Sequence, residues 1–204
     1  MSLSQLLETS GRFAGELAAL ADVQPREAPS LSVQAALDEA RLALEHWRSV
    51  RALLAQGSLP SALAMQLEQI DSLTRSLWVR NVATEEQVSY FDLNLSLTRD
   101  QGQDTRTPGI TAMMEPLKLS TVKNRYYILS GAREARWTYS RREIYQDWRS
   151  KELIENLGTA VLFNSNSVGA LAGILANEYI KGSAQEARSV ITRSQTASRR
   201  MLSN

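Results

Sequence analysis

The chain has 204 residues, of which 43% are hydrophobic and 22% charged, so it can bury a core and has an ordinary globular composition. It contains no cysteine and a single histidine, His46, which excludes disulfides, thiolate metal sites and any site that needs two histidines. We therefore expect no catalytic residue, metal site or cofactor, and the composition favours assembly and binding over catalysis.

Charge is unevenly distributed along the chain, although the net charge is only +1. Residues 1–86 hold 7 arginines and 11 acidic residues, whereas residues 87–204 hold 16 basic and 11 acidic residues. Arginine supplies 19 of the 23 basic side chains, and its guanidinium group binds carboxylates and phosphates through paired hydrogen bonds. The pattern indicates either a scattered charged surface or contact with neighbouring subunits or a polyanion.

The sequence also predicts where the protein resides. Its first residues carry Glu8 where a signal peptide would need basic residues, and no apolar run approaches the roughly 20 residues of a membrane span. We expect no membrane span, no secretion by a signal peptide, and a location in the cytoplasm or a virion.

Helical spacing of apolar residues dominates the first part of the chain. Residues 3–20 predict an amphipathic helix that Gly11 and Gly15 weaken, and residues 23–31, with two prolines, predict a linker.

A helical hairpin is predicted next. Residues 32–56 form one apolar stripe that Gly57 ends, and Pro60 suits the first turn of a following helix. The connection is short, so the two helices should pack in antiparallel fashion.

The spacing of the apolar residues then changes to the two-residue period of a strand. Apolar and polar residues alternate over residues 90–97, which predicts a half-buried strand, and residues 98–109 predict a polar loop. Residues 117–129 fit either a hairpin across Lys123 or the start of a helix at Tyr126.

Helices return toward the C-terminus. Ser140 and Glu143 match a capping box that opens a helix ending at Gly158, and a further helix is predicted from about residue 167 to 180. Ser183 and Glu186 match a second capping box at the start of a final helix.

These elements together predict a mainly α protein. We expect a helical bundle with a short β-strand or hairpin insertion around residues 88–129 and a single domain over residues 1–204. Possible subdivisions are an N-terminal helix and linker, a helical hairpin, a β/loop segment and C-terminal helices, at residues 1–31, 32–86, 87–130 and 131–204.

Arginine and aromatic residues are concentrated in residues 125–149, which hold four of the six tyrosines and two of the four tryptophans. Arginine neutralises phosphates and aromatic faces stack on bases, so one interpretation is contact with nucleic acid. A buried aromatic face with a solvated arginine face, partly paired with acidic neighbours, is the simpler interpretation, and a protein interface is the third. The candidate nucleic-acid-binding residues are Arg125, Arg133, Arg136, Arg141, Arg142 and Arg149.

Two further features suggest an interface. Gly169 and Gly173 lie four residues apart, which predicts a close helix crossing. No acidic residue follows Glu186, so the arginines after it either complement the helix dipole or reach a neighbouring subunit. The predicted interface residues are Gly169, Gly173, Arg193, Arg199 and Arg200.

Residues 139–148, which read YSRREIYQDW, resemble the aromatic-x-Arg-x-x-Phe-Glu element near the end of rod-shaped plant-virus coat proteins. This chain has Ile144 and Tyr145 where that element has Phe and Glu. The resemblance implies a helical-bundle subunit that packs side by side around RNA, with Arg141 as the residue that matches.

Our leading hypothesis is therefore a non-enzymatic, self-assembling structural protein of the viral coat or nucleocapsid type, a homo-oligomer that contacts RNA in preference to DNA. The alternative is a protein-binding or phage-type structural component without nucleic-acid contact. A second alternative is an enzyme that uses arginines with carboxylates such as Asp92, Glu143 or Asp147.

Overall fold

Seven helices make up the regular structure of the described residues. A computed structural model describes residues 2–25, 27–95, 107–119 and 151–202, and within these ranges it contains no strand. The mainly helical architecture is confirmed. The helices are α1 (Leu3–Ala21), α2 (Leu31–Ala55), α3 (Leu59–Asn81), α4 (Glu85–Leu95), α5 (Ile110–Met114), α6 (Lys151–Lys181) and α7 (Gln185–Leu202).

The α2–α3 hairpin forms as predicted. Gly57 follows α2 with a φ of +69°, a conformation that glycine adopts without a Cβ penalty. The reversal lets the backbone N–H of Ser58 donate to the carbonyl of Leu53 at 2.8 Å, and Pro60 lies in the first turn of α3. The two helices then pack along their length and bury the predicted α2 stripe, including Leu37.

Helix α6 is the central helix of the bundle, since it packs against α1, α2 and α3. The predicted close crossing occurs on this helix. A Cβ atom added at Gly169 would lie 2.3 Å from the ring of Trp47 on α2, and one at Gly173 would lie 3.1 Å from Leu17 on α1. The small residues of α6 therefore allow two helices of the same chain to approach its backbone.

Part of α6 has the length and composition of a membrane span. Ile154–Lys181 reaches a mean hydropathy of 1.3, and half of its most apolar window is buried inside the fold. Among the described residues it is the one helix that meets this criterion. Val161, Leu162 and Ala172 are each at most 2% exposed, which is the environment of a core helix in a bundle.

The strand predicted at residues 90–97 is wrong for residues 90–95, which belong to α4. A capping box explains the difference: the Thr84 hydroxyl oxygen accepts from the backbone N–H of Gln87, whose side-chain oxygen accepts from the backbone N–H of Thr84. The helix that starts there continues through the alternating residues. Val88, Phe91 and Leu95 in fact also have helical spacing.

The helix end predicted at Gly158 is also wrong, because Gly158 lies inside the continuous α6. A Cβ atom there would lie 2.9 Å from Leu3 Cδ2, so the glycine makes room for the start of α1. Burial of this contact compensates for the low helix propensity of glycine. The Ser140 capping box and the hairpin across Lys123 lie outside the described residues.

The second capping box is only half formed. The Ser183 hydroxyl oxygen accepts from the backbone N–H of Gln185 at 3.3 Å, where α7 begins. Glu186 does not close the box, since its carboxylate pairs with Lys181. Helix α7 then packs on α1 and α6.

A candidate anion-binding groove between α1 and α2

A surface groove of about 410 Å³ runs between the N-terminal helix and the first helix of the hairpin. One wall is a stripe of α1 and the other a stripe of α2, because the lining positions recur every three or four residues. The lining residues are Leu7, Gly11, Gly15, Arg48, Arg51, Ala52 and Ala55. We call it the α1–α2 groove. Two guanidinium groups therefore line a surface that is otherwise apolar.

The two glycines of α1 play different parts in the groove. A Cβ atom added at Gly11 would lie 3.0 Å from Nη2 of Arg51, so this glycine provides space for the guanidinium group. A Cβ atom added at Gly15 would meet nothing within 4 Å, so the groove is open there. Gly11 thus makes room for the Arg51 side chain, and Gly15 leaves open space in the groove.

Arg51 is the electrostatically unusual residue of the groove. Its Nε–H group is shielded from solvent and, within the described part of the chain, has no hydrogen-bond acceptor. Burial, with a smaller contribution from Arg48, lowers the pKa of Arg51, although an arginine remains charged near neutral pH. The groove therefore contains a half-buried cation with unused hydrogen-bonding capacity.

The other arginines of α2 have acceptors. Arg41 donates from Nε to the carbonyl of Ala21 at 2.9 Å and from Nη2 to the carbonyl of Val23 at 3.0 Å, which satisfies the end of α1. Arg48 pairs with Glu45 one turn earlier on the helix. In contrast to both, Arg51 faces the groove without a carboxylate or carbonyl partner among the described residues.

A single half-buried acceptor fixes the two walls of the groove. Asn166 on α6 accepts from the Ser10 hydroxyl at 2.6 Å and from the Trp47 indole N–H at 2.9 Å. Ser10 directly precedes Gly11, and Trp47 directly precedes Arg48. Because both walls are hydrogen-bonded to the same side chain, the spacing of the groove is set by the core.

Helix α6 is anchored on its other side by glutamines of α3. Gln66 donates its side-chain amide to the carbonyl of Val161 at 3.2 Å, and Gln69 donates to the carbonyl of Ser165 at 3.0 Å. The Ser165 hydroxyl in turn donates to Gln69 at 2.6 Å. These contacts hold the register of α6, and with it the position of Asn166.

The predicted nucleic-acid-binding residues all lie outside the described residues, so that site stays a prediction. They are Arg125, Arg133, Arg136, Arg141, Arg142 and Arg149.

The residues predicted as an interface are dispersed. Gly169 and Gly173 are buried inside the chain against α2 and α1. Arg193 of α7 pairs with Glu16 of α1 at 3.1 Å, and both side chains are exposed. Arg199 and Arg200 lie in the last turns of α7. Gly169 and Gly173 therefore take part in packing within the chain, whereas Arg193 takes part in an ion pair at the surface.

Sequence reasoning missed the groove, although part of it was visible. The glycines at positions 11 and 15 stood out as unfavourable within a helix, and their spacing places them on one face. Nothing in the sequence showed that this face would meet Arg51, because that contact depends on how α1 packs on α2. No group of three or more potential metal ligands occurs among the described residues, in which His46 lies on α2.

Comparison with known proteins gives a family but no function. No curated protein and no solved structure matches the chain. Residues 40–202 match the family described as "Family of unknown function (DUF6988)". The matched range contains the α2 wall of the groove, whereas the α1 wall precedes it. Since the match spans most of the 204 residues, the chain belongs to the DUF6988 family.

Proposed function

We propose that this protein is a non-enzymatic binding protein that takes an anionic group into the α1–α2 groove. The observation that carries the proposal is the half-buried guanidinium of Arg51, whose Nε–H has no acceptor among the described residues. A buried donor without an acceptor is costly, and the cost is larger for a charged group. An anion in the groove would supply the counter-charge for this guanidinium group and an acceptor for the N–H groups that face the groove.

The size and lining of the groove support a ligand rather than bulk solvent at this position. Its volume of about 410 Å³ lies within the roughly 300–1,000 Å³ of small-molecule sites. Such sites combine mostly apolar walls with a few polar groups that orient the ligand, and here Arg48 and Arg51 are those groups. The walls are held by the Asn166 contacts, so the site is formed before a ligand arrives.

Binding can be tested by NMR on the ¹⁵N-labelled chain. Sodium acetate and sodium phosphate are titrated at constant ionic strength while the arginine Nε–Hε resonances are recorded. The proposal predicts that the Arg51 resonance, assigned with an Arg51→Gln variant, shifts and saturates with at least one anion.

Two variants test whether the shift of the Arg51 resonance arises from anion binding in the groove. Arg51→Gln is expected to remove saturable binding, whereas Arg188→Gln, the same change at an exposed position on α7, is expected to retain it. Linear, unsaturated shifts with both anions, or equal affinity in the Arg51→Gln variant, would contradict the proposal. Self-assembly and nucleic-acid contact through residues 125–149 remain separate predictions from the sequence.

A further inference from the structure

The α1–α2 groove also indicates which anion it takes. Resting on the proposed function, we infer that its ligand is an organic monocarboxylate with a small apolar body, and neither a phosphate nor a polyanion. Three features of the groove support this assignment: its charge balance, the flat shape of its donor, and the apolar end formed by Leu7, Ala52 and Ala55.

The groove has one positive charge without a partner, so it matches a ligand with a single negative charge. Arg48 is already paired with Glu45, which leaves Arg51 as the one lining cation without a partner among the described residues. Glu8 and Arg12 of α1, which do not line the groove, carry opposite charges one turn apart. A phosphate group, with a charge of about −1.5 to −2 at neutral pH, would exceed what the groove neutralises, whereas a carboxylate would match it.

The shape of a carboxylate also suits the donor. A guanidinium group is a planar fork that binds a carboxylate through two parallel hydrogen bonds. Gly11 lets the α1 backbone approach Nη2 of Arg51 closely, so one edge of the fork is occupied by the helix wall. The ligand therefore meets only the remaining edge of the Arg51 guanidinium group, which is flat and narrow. A phosphate site, by contrast, surrounds its ligand with hydrogen-bond donors.

Apart from the two arginines the groove is apolar, and this apolar surface selects the body of the ligand. Leu7, Ala52 and Ala55 line it together with the two glycines. The open space at Gly15 lies one helical turn beyond Gly11, where Arg51 is seated. Because α1 and α2 run antiparallel, this open end lies beside Arg48, whereas Leu7, Ala52 and Ala55 lie toward the other end of the groove. A carboxylate bound at Arg51 can thus extend its hydrocarbon part along α1 toward Leu7.

Two ligand pairs test the inference in calorimetric titrations of the 204-residue chain. Affinity is expected to rise from acetate to hexanoate by about fourfold for each buried methylene. Phenylacetate is expected to bind at least about tenfold more tightly than phenyl phosphate, which has a similar apolar body and more charge. Ala52→Ser, which makes the apolar end more polar at an exposed helix position, should weaken the binding of hexanoate more than that of acetate.

A gain-of-function variant tests the charge argument directly. Glu45→Gln removes the ion-pair partner of Arg48, so it should raise the affinity for phenyl phosphate by about tenfold. The ratio of the phenylacetate affinity to the phenyl phosphate affinity should therefore decrease. Glu178→Gln, an equivalent change at an exposed position of α6, should leave both affinities unchanged.

The possible failures are distinguishable. If phenyl phosphate binds as tightly as phenylacetate in the unmodified chain, or if affinity does not rise with chain length, the ligand class is overturned and the anion-binding function stands. If no anion binds, or if Arg51→Gln leaves every affinity unchanged, both the ligand class and the proposed function fail.

Discussion

Replacing Gly169 by alanine tests the packing of the central helix most directly. The added Cβ atom would lie 2.3 Å from two ring atoms of Trp47, where normal contacts are at least 3.4 Å, so the indole must move by about 1 Å. Overfilling a core costs about 1–3 kcal/mol, and moving Trp47 from its 2.9 Å hydrogen bond to Asn166 adds about 1–2 kcal/mol. Alanine regains about 1 kcal/mol of helix propensity. The net expected loss in free energy of unfolding is therefore about 1–4 kcal/mol.

Urea unfolding followed by circular dichroism measures this loss, provided the slope of free energy against urea concentration is unchanged. Gly15→Ala is the matched control, since it makes the same chemical change in a helix where the new Cβ meets nothing within 4 Å. This control is expected to stabilise the fold by up to about 1 kcal/mol. Equal stabilisation by both substitutions would refute the reasoning, because helix propensity alone would then explain them.

Three further changes test other parts of the structure. Asn166→Ala leaves one buried donor on α1 and one on α2 without their acceptor, so urea unfolding should show a loss of about 2–4 kcal/mol, and a loss below about 0.5 kcal/mol would contradict the anchoring role. Burial raises the pKa of Tyr179, so its contribution to stability is full below the unfolded value of about 10 and is lost as the pH rises toward the folded value. The melting temperature of the Tyr179→Phe variant should therefore fall less steeply above pH 10 than that of the unmodified protein. An equal slope in the two proteins would exclude Tyr179 as the cause of the fall. Replacing both Arg141 and Arg142 with alanine should weaken salt-dependent RNA binding for all sequences alike in a filter assay, whereas unchanged affinity would end the nucleic-acid hypothesis for that segment.

Much of the helical architecture could be predicted because it depends on local patterns. The α2 stripe, the glycine after it and the proline at the start of α3 each act within a few residues, and the structure confirms all three. The close crossing at Gly169 was predictable for the same reason, since small residues four apart define one face of a helix.

The errors arose where a local pattern had two physical explanations. The apolar residues of residues 90–95 fit a strand by alternation and a helix by three- and four-residue spacing, and the Thr84 capping box decided for the helix. Gly158 is a common kind of helix terminator, yet α6 continues through it because α1 packs onto the space it leaves. In both cases the contact that decided the structure involves a residue outside the short segment whose pattern suggested the prediction.

The groove was unpredictable for a more general reason, which also bears on its function. Gly11 and Gly15 each cost α1 up to about 1 kcal/mol of helix propensity, a cost that a sequence pattern records only as a defect. In the fold the first glycine admits the guanidinium of Arg51 and the second leaves open space, while the preceding Ser10 ties the same turn to Asn166. A ligand that binds Arg51 would contact both α1 and α2, so it would stabilise the helix that the glycines weaken. Binding should therefore raise the melting temperature in proportion to RT ln(1 + [L]/Kd), and Arg51→Gln should remove that increase while leaving the ligand-free fold intact.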